Sequence, residues 1–196
     1  PEKAITAEDV DGVYVVTPHN AHHRYVMSAL EKGKHVVLEK PVGINPDEVK
    51  KLFDYQGDKE ICIMLQNRKN PAIIKMKELI DSETFGKPVT LNAFLTWHRD
   101  EEYYAQDEWR GKWDTEGGGV MINQALHTLD LLQWIIGMPK SVTSHIFNDH
   151  LKNEIEVEDT ATAIFKTPDG RKFNLFATTA CGVDFPAQLH VRLADK

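Results

Sequence analysis

The chain has 196 residues, 41% of them apolar and 27% charged, with a formal net charge of -7. That is the usage of one or two globular domains. It argues against a membrane-spanning helix, since no apolar run approaches the ~20 residues that cross a bilayer, and against a partner that presents a phosphate backbone.

The first 68 residues read as α/β. Val13-Tyr14-Val15-Val16 is a continuous apolar run, as in a strand covered on both faces. Ala21 to Lys32 follows with helical spacing of Tyr25, Met27, Ala29 and Leu30, and Gly33 stands where a C′ residue ends a helix. Val36 to Leu38 makes a second strand and hence a β-α-β unit, right-handed by the usual rule. Pro46-Asp47-Glu48 opens another helix, with proline in the first turn and acids at the positive end of the dipole. Ile61 to Leu65 returns as a third strand, with Cys62 inside it. Cys62 and Cys181 stand far apart and read as buried free thiols in a reducing cytoplasm.

After Gln66-Asn67-Arg68 the pattern changes. Pro71 to Ile80 is an amphipathic helix that closes before Gly86-Lys87-Pro88, and Val89 to Trp97 is a long run of β-formers. Arg99 to Glu116 is charged, aromatic and irregular, and a loop of that length is usually functional or disordered. The spacing predicts a helix over Gly119 to Ile136, ended by Gly137. Val142 to Phe147, Asp159 to Lys166, Lys172 to Thr179 and Ala187 to Leu193 then read as strands, with Pro168-Asp169-Gly170 a turn between two of them. The result is a largely antiparallel sheet backed by helices. Covered on one side only, it leaves an apolar face suited to a second copy.

Three motifs carry chemistry. Glu39-Lys40-Pro41 puts a lysine where a buried parallel strand ends, the edge at which open α/β sheets bind ligands. Thr17-Pro18-His19-Asn20-Ala21-His22 lies between a strand and a helix at the same edge. With His23 it suggests a metal site, but neighbours do not share a helical face and no acidic or cysteine ligands cluster nearby. Gly117-Gly118-Gly119 permits close approach of another chain segment and precedes Asn123, His127 and Asp130, which fall at i, i+4 and i+7 on one helical face. A lysine at a strand end and a histidine on a polar helical stripe suit proton transfer at a hydroxyl whose carbon gives or takes a hydride. An exposed loop lysine, a satisfied core histidine and a flexible glycine loop are the structural alternatives.

In this order and at about this spacing, the three motifs resemble the Gfo/Idh/MocA family of NAD(P)-dependent sugar and polyol dehydrogenases. The resemblance runs through essentially the whole chain but not the whole family fold. The family's G-x-G-x-x-G turn, which cradles a pyrophosphate at a helix N-terminus, has no counterpart, so the chain reads as an internal piece. The implied fold class is α/β plus α+β: part of a Rossmann-type parallel sheet in residues 1–68, then an α+β substrate-binding and dimerisation domain in 69–196.

The resemblance further implies an oxidoreductase using NAD or NADP on a sugar, sugar nucleotide or cyclic polyol, cytoplasmic and a homodimer or homotetramer. Lys40 and His127, with Asn123, become the catalytic and substrate-contacting residues. Many members carry aspartate at the position of Asn123, and an amide hydrogen-bonds but does not titrate. Proton transfer then rests on His127 and Lys40, with Asp130 a candidate to orient His127. Cofactor contacts fall on Thr17, Pro18, Asn20, His22, Glu39, Lys40, Trp109 and Arg110, whose guanidinium offers a planar donor fork, and on Asn70 at the domain junction. Tyr103, Tyr104 and Trp113 make a candidate sugar-stacking wall, with Tyr104 touching substrate. Pro41 stiffens its turn and is a candidate for a cis bond. Two alternatives stay open: a non-catalytic sugar- or nucleotide-binding relative, which Asn123 favours, and a chain that binds no cofactor because it lacks the phosphate turn.

Overall fold

Short apolar runs alternating with helical stripes build a three-stranded parallel sheet of β1 (Gly12–Val15), β2 (His35–Leu38) and β3 (Ile61–Ile63), in the order β1-β2-β3. The computed structural model describes residues 1–195. A short helix α1 (Glu2–Thr6) precedes β1, and α2 (His22–Glu31) and α3 (Pro46–Phe53) connect the strands. Val26, Ala29 and Leu30 of α2 pack on Val15, Val36 and Leu38. Burying such a side chain contributes about 1.5–3 kcal/mol, so the helical cover, more than the short ladder, holds this sheet. The Asn45 side chain accepts from the Asp47 N–H (2.8 Å) and Pro46 fills the first turn, which sets the start of α3.

Beyond a 3-10 turn at Gln66–Lys69 come α4 (Pro71–Asp81), β4 (Pro88–Thr96), α5 (Glu101–Ala105), α6 (Leu126–Ile136), β5 (Ser141–Phe147), β6 (Thr160–Lys166), β7 (Lys172–Thr178) and β8 (Gln188–Leu193). The last four strands and β4 form one sheet in the order β5-β6-β7-β4-β8. Its pairings are antiparallel except β4 with β7, which is parallel. Strand alternation turns Leu91, Ala93, Ala163, Phe165, Phe173 and Leu175 toward Ile80 of α4 and Leu132 and Ile135 of α6. Arg68, in the turn after β3, grips Asp130 of α6 with two donors, Nε at 2.8 Å, and lies over the Trp134 ring.

The structure departs from several expectations. The helix predicted from Gly119 begins only at Leu126, and residues 117–125 form turns. The cause is Glu158: its carboxylate accepts the N–H groups of Gly119 (2.9 Å) and Met121 (3.0 Å), and its carbonyl accepts that of Val120 (3.0 Å). Asp130 pairs with Arg68 rather than orienting His127. The third strand stops at Ile63, and the loop expected over Arg99 to Glu116 contains α5. Cys62 and Cys181 are free, but Cys62 is exposed and Cys181 half-buried. Cys62 is the exposed residue of β3, which is an edge strand of its sheet among the described residues.

A Cβ at Gly119 would lie 1.9 Å from the Glu158 carbonyl oxygen, which is backbone and has nowhere to go. Gly119→Ala should therefore lose about 3 kcal/mol in urea unfolding. Gly182→Ala, where an added Cβ meets nothing within 4 Å, should stay within about 0.5 kcal/mol of the parent.

Candidate active site

The Glu39 N–H still donates to the Val15 carbonyl (3.0 Å), so Lys40 is the first residue beyond the parallel ladder. A cis bond joins it to Pro41. His22, 1% exposed, sets Nδ1 against the Pro41 carbonyl (2.7 Å) and Nε2 against that of Thr17 (2.9 Å). It ties the two strand-end loops together. Both ring nitrogens thus face backbone carbonyls of the two strand-end loops.

Lys40 Nζ donates to the backbone carbonyl and to Oδ1 of Asn123, both at 2.8 Å. The turns held by Glu158, not a helical face, bring Asn123 to this position. The Asn123 Nδ2 in turn donates to Oε1 of Glu116 (2.6 Å), whose Oε2 accepts the Gly111 N–H (2.6 Å). Glu116 is 0% exposed. Burial raises its pKa, against the lowering effect of these two hydrogen bonds and of Arg110. Its backbone carbonyl meets Nδ1 of His19 (2.9 Å), and the Trp109 ring lies 4.6 Å from the His19 ring. Sequence reasoning missed both residues as parts of the site. Their only signals are that Glu116 directly precedes the glycine triplet and that His19 lies inside the first motif.

His127 stands in the first turn of α6, half-buried. Burial lowers its pKa most, the Lys40 charge lowers it further, and Asp130 and Glu39 oppose. Burial likewise lowers that of Lys40, against Glu39 and Glu116. The arrangement is a neutral imidazole, able to accept a proton, within the field of a partly desolvated ammonium. Two polar atoms here, Thr17 Oγ1 and His127 Nδ1, are buried without a protein partner.

The other expected contacts divide. Pro18 and Asn20 are exposed at the strand end, where the Asn20 N–H donates to the Thr115 carbonyl (3.2 Å). The Glu39 carboxylate takes the Tyr14 hydroxyl. The Arg110 guanidinium lies 4.2 Å from the centre of the Tyr103 ring and pairs with Asp107 at 3.0 Å. Asn70 is instead the N-cap of α4, its Oδ1 accepting the Ala72 N–H (2.9 Å), because Pro71 starts the helix there. Tyr104 is 7% exposed and packs with Leu151, Ile155 and Val157, so no sugar-stacking wall forms on it. Trp113 donates its indole N–H to the Glu156 carbonyl (3.0 Å).

Burial moves the His19 pKa from 6.5 down to about 4, more than its bond to Glu116 restores. Below pH 6.5 the unfolded chain takes up a proton that the folded chain refuses, so stability falls between 6.5 and about 4, by up to about 3 kcal/mol. The raised Glu116 pKa works in the opposite direction. The comparison with a variant isolates the histidine: His19→Asn, whose amide can still donate to the Glu116 carbonyl, should gain urea stability relative to the parent as pH falls from neutral to about 4.

A family model described as "Oxidoreductase family, NAD-binding Rossmann fold" matches residues 1–66, and one described as "GFO/IDH/MocA C-terminal domain" matches residues 73–193. The chain is 28% identical over 145 residues to Oxidoreductase P35 of Formosa agariphila, covering 72% of this chain and 45% of that protein. It is 26% identical over 197 residues to the inositol 2-dehydrogenase of Rhodococcus erythropolis, covering 97% and 53%. Among solved structures, the WlbA dehydrogenase from Bordetella pertussis in complex with NADH and UDP-GlcNAcA has a TM-score of 0.88 at 27% identity, covering 97% of this chain and 59% of that one. The chain thus spans about half the length of these relatives. With both family domains matched in chain order, on a parallel sheet whose edge carries Lys40 and a mixed sheet whose helix carries His127, the chain belongs to the Gfo/Idh/MocA family of oxidoreductases.

Proposed function

We propose that this chain carries the catalytic centre of an NAD(P)-dependent oxidoreductase acting on a CH–OH or C=O group of a sugar, sugar nucleotide or cyclic polyol. The observation that carries the reading is Lys40 at the end of a parallel strand, its Nζ pinned by Asn123, in the field of a neutral His127. Asn123 uses two of the three N–H donors of Lys40, leaving one for a substrate oxygen. Relatives named for inositol oxidation and a relative complexed with NADH and UDP-GlcNAcA support the substrate class.

The residues present fit NAD(P). Thr17 Oγ1 is a buried hydroxyl without a protein partner at the strand end, and Pro18, Asn20, Glu39, Trp109 and Arg110 line the same region as the groups that would hold it. Bound nicotinamide supplies the hydride acceptor or donor. Lys40 holds the reacting oxygen and its ammonium favours the alkoxide that forms as the hydroxyl proton leaves. His127 takes that proton in oxidation and returns it in reduction. Asn123 fixes Lys40 and does not itself titrate.

Two domains meeting at residues 68 and 69 suit this reading, with the family matches ending and starting at either side. For the uncovered face of the mixed sheet the occupant we propose is a second copy of the chain. That face carries Phe147 and Ile164, 43% and 47% exposed, with Phe94 against the His190 ring. Two free cysteines fit a cytoplasmic protein.

His127→Ala and Lys40→Met should each lower kcat by about 10²–10⁴-fold, the usual worth of acid–base groups, with the far-UV circular dichroism unchanged. Reduction of NAD(P)+ is followed by nicotinamide absorbance across a panel of sugars, sugar nucleotides and inositols. Turnover undiminished in the His127 variant would sink the assignment. Ile164→Asp should shift the sedimentation coefficient from dimer or tetramer to monomer.

A further inference from the structure

We propose that Glu116 is the positioning residue for Lys40: its buried carboxylate sets the direction of the Asn123 amide, and that amide aims the Lys40 ammonium at the substrate. The order along the line is ammonium, amide oxygen, amide nitrogen, carboxylate, joined by contacts of 2.8 Å and 2.6 Å. An ionised carboxylate accepts only and an ammonium donates only. Of the two orientations open to the Asn123 amide, just one gives each end a partner. Turned over, its oxygen would face Glu116 and its NH2 would face Lys40, two repulsions in a site with little solvent. The Gly111 N–H on the second Glu116 oxygen (2.6 Å) keeps the carboxylate from turning away.

The charge balance follows the same geometry. Where a residue at position 123 bore a carboxylate, it would neutralise Lys40 by contact. In this chain the negative charge lies one residue further back, and a neutral amide transmits the hydrogen bond. The charged and titratable groups around Lys40 are Glu39 beside it in the chain, Glu116 and Arg110 from the loop ahead of the glycine triplet, His127 from α6, and His19 from the strand-end turn. His22 of α2 engages the adjoining Pro41 carbonyl. Glu39 and Glu116 favour the ammonium, and Arg110 opposes it.

The inference rests on the functional reading only for the use to which Lys40 is put, and its test needs neither cofactor nor turnover. The chain is labelled with 13C-lysine and 15N-asparagine. The Lys40 Cε signal, assigned by its loss in Lys40→Arg, is then titrated by NMR. Glu116→Gln should move the Lys40 midpoint to lower pH, because a neutral amide no longer favours the ammonium and can accept either orientation of Asn123. The double variant E116Q/N123D, which returns the carboxylate directly to Nζ, should bring the midpoint back to or above that of the parent. Asn123→Asp alone sets two carboxylates face to face, and its Lys40 transition should broaden or split as the pair shares a proton. In the parent chain, the Asn123 side-chain NH2 should show an inflection above the ordinary glutamate range, with a matching step at Lys40. An unmoved Lys40 midpoint in a folded Glu116→Gln chain overturns the proposal. Should that variant not fold, the absence of a shared step at Asn123 and Lys40 in the parent overturns it. In either case the oxidoreductase reading stands or falls separately, on the kinetics of the His127 and Lys40 variants.

Discussion

The site depends on one close approach, the Glu158 backbone lying where a side chain at residue 119 would otherwise be. Its carbonyl accepts the Val120 N–H and its carboxylate the N–H groups of Gly119 and Met121. An anion held by nearby backbone N–H groups is a favourable arrangement, and Glu158 lies two residues before β6 of the mixed sheet. Those donors are thereby anchored to the sheet and the segment cannot wind into the helix that follows. It crosses instead to the end of the parallel sheet, where the Asn123 side chain and carbonyl meet Lys40. The same constraint fixes where α6 begins, and so places His127 in its first turn.

Around that crossing, several polar and specific contacts join the two sheets. Arg68 holds Asp130, the His19 ring meets the Glu116 carbonyl, and the Asn20 N–H reaches the Thr115 carbonyl. The two largest apolar clusters each belong to one sheet and its helices, so the hydrophobic effect stabilises the parts while hydrogen bonds help to set their register. Directional bonds suit this purpose, because apolar packing alone tolerates small displacements that a proton-transfer site does not.

The electrostatics share one source, the removal of water from charged groups. Desolvation is the largest cause of the shifts at Lys40, His19, Glu116 and His127. Buried charges must be paired or hydrogen-bonded, and Lys40 and Glu116 meet that condition through Asn123 rather than by contact. The ammonium thus keeps a donor for a substrate oxygen, and its unneutralised field helps to hold His127 neutral. An amide at position 123 is therefore compatible with catalysis, since the negative charge an aspartate would bring is present on Glu116.

Much of this was legible in one dimension. The continuous apolar runs marked the parallel strands because a strand buried on both faces needs apolar residues at every position, and Lys40 stood out as the charge that ends such a run. Proline and asparagine at helix starts, and glycine at their ends, carry backbone preferences that act within a turn. The identity of a polar group's partner has no such local signature. Glu158 lies far along the chain from Gly119, and Asp130 from Arg68. Tyr104 reads as a sugar-stacking residue until Leu151, Ile155 and Val157 close over it, and Cys62 reads as buried although its side chain on β3 is exposed. Sequence alone determined most of the element types and their order, through short-range periodicity and steric rules, and placed Lys40 at a strand end. The tertiary structure decided which carboxylate serves Lys40, which one interrupts the helix and which histidines are clamps, because those outcomes depend on the approach of segments that chain spacing does not encode.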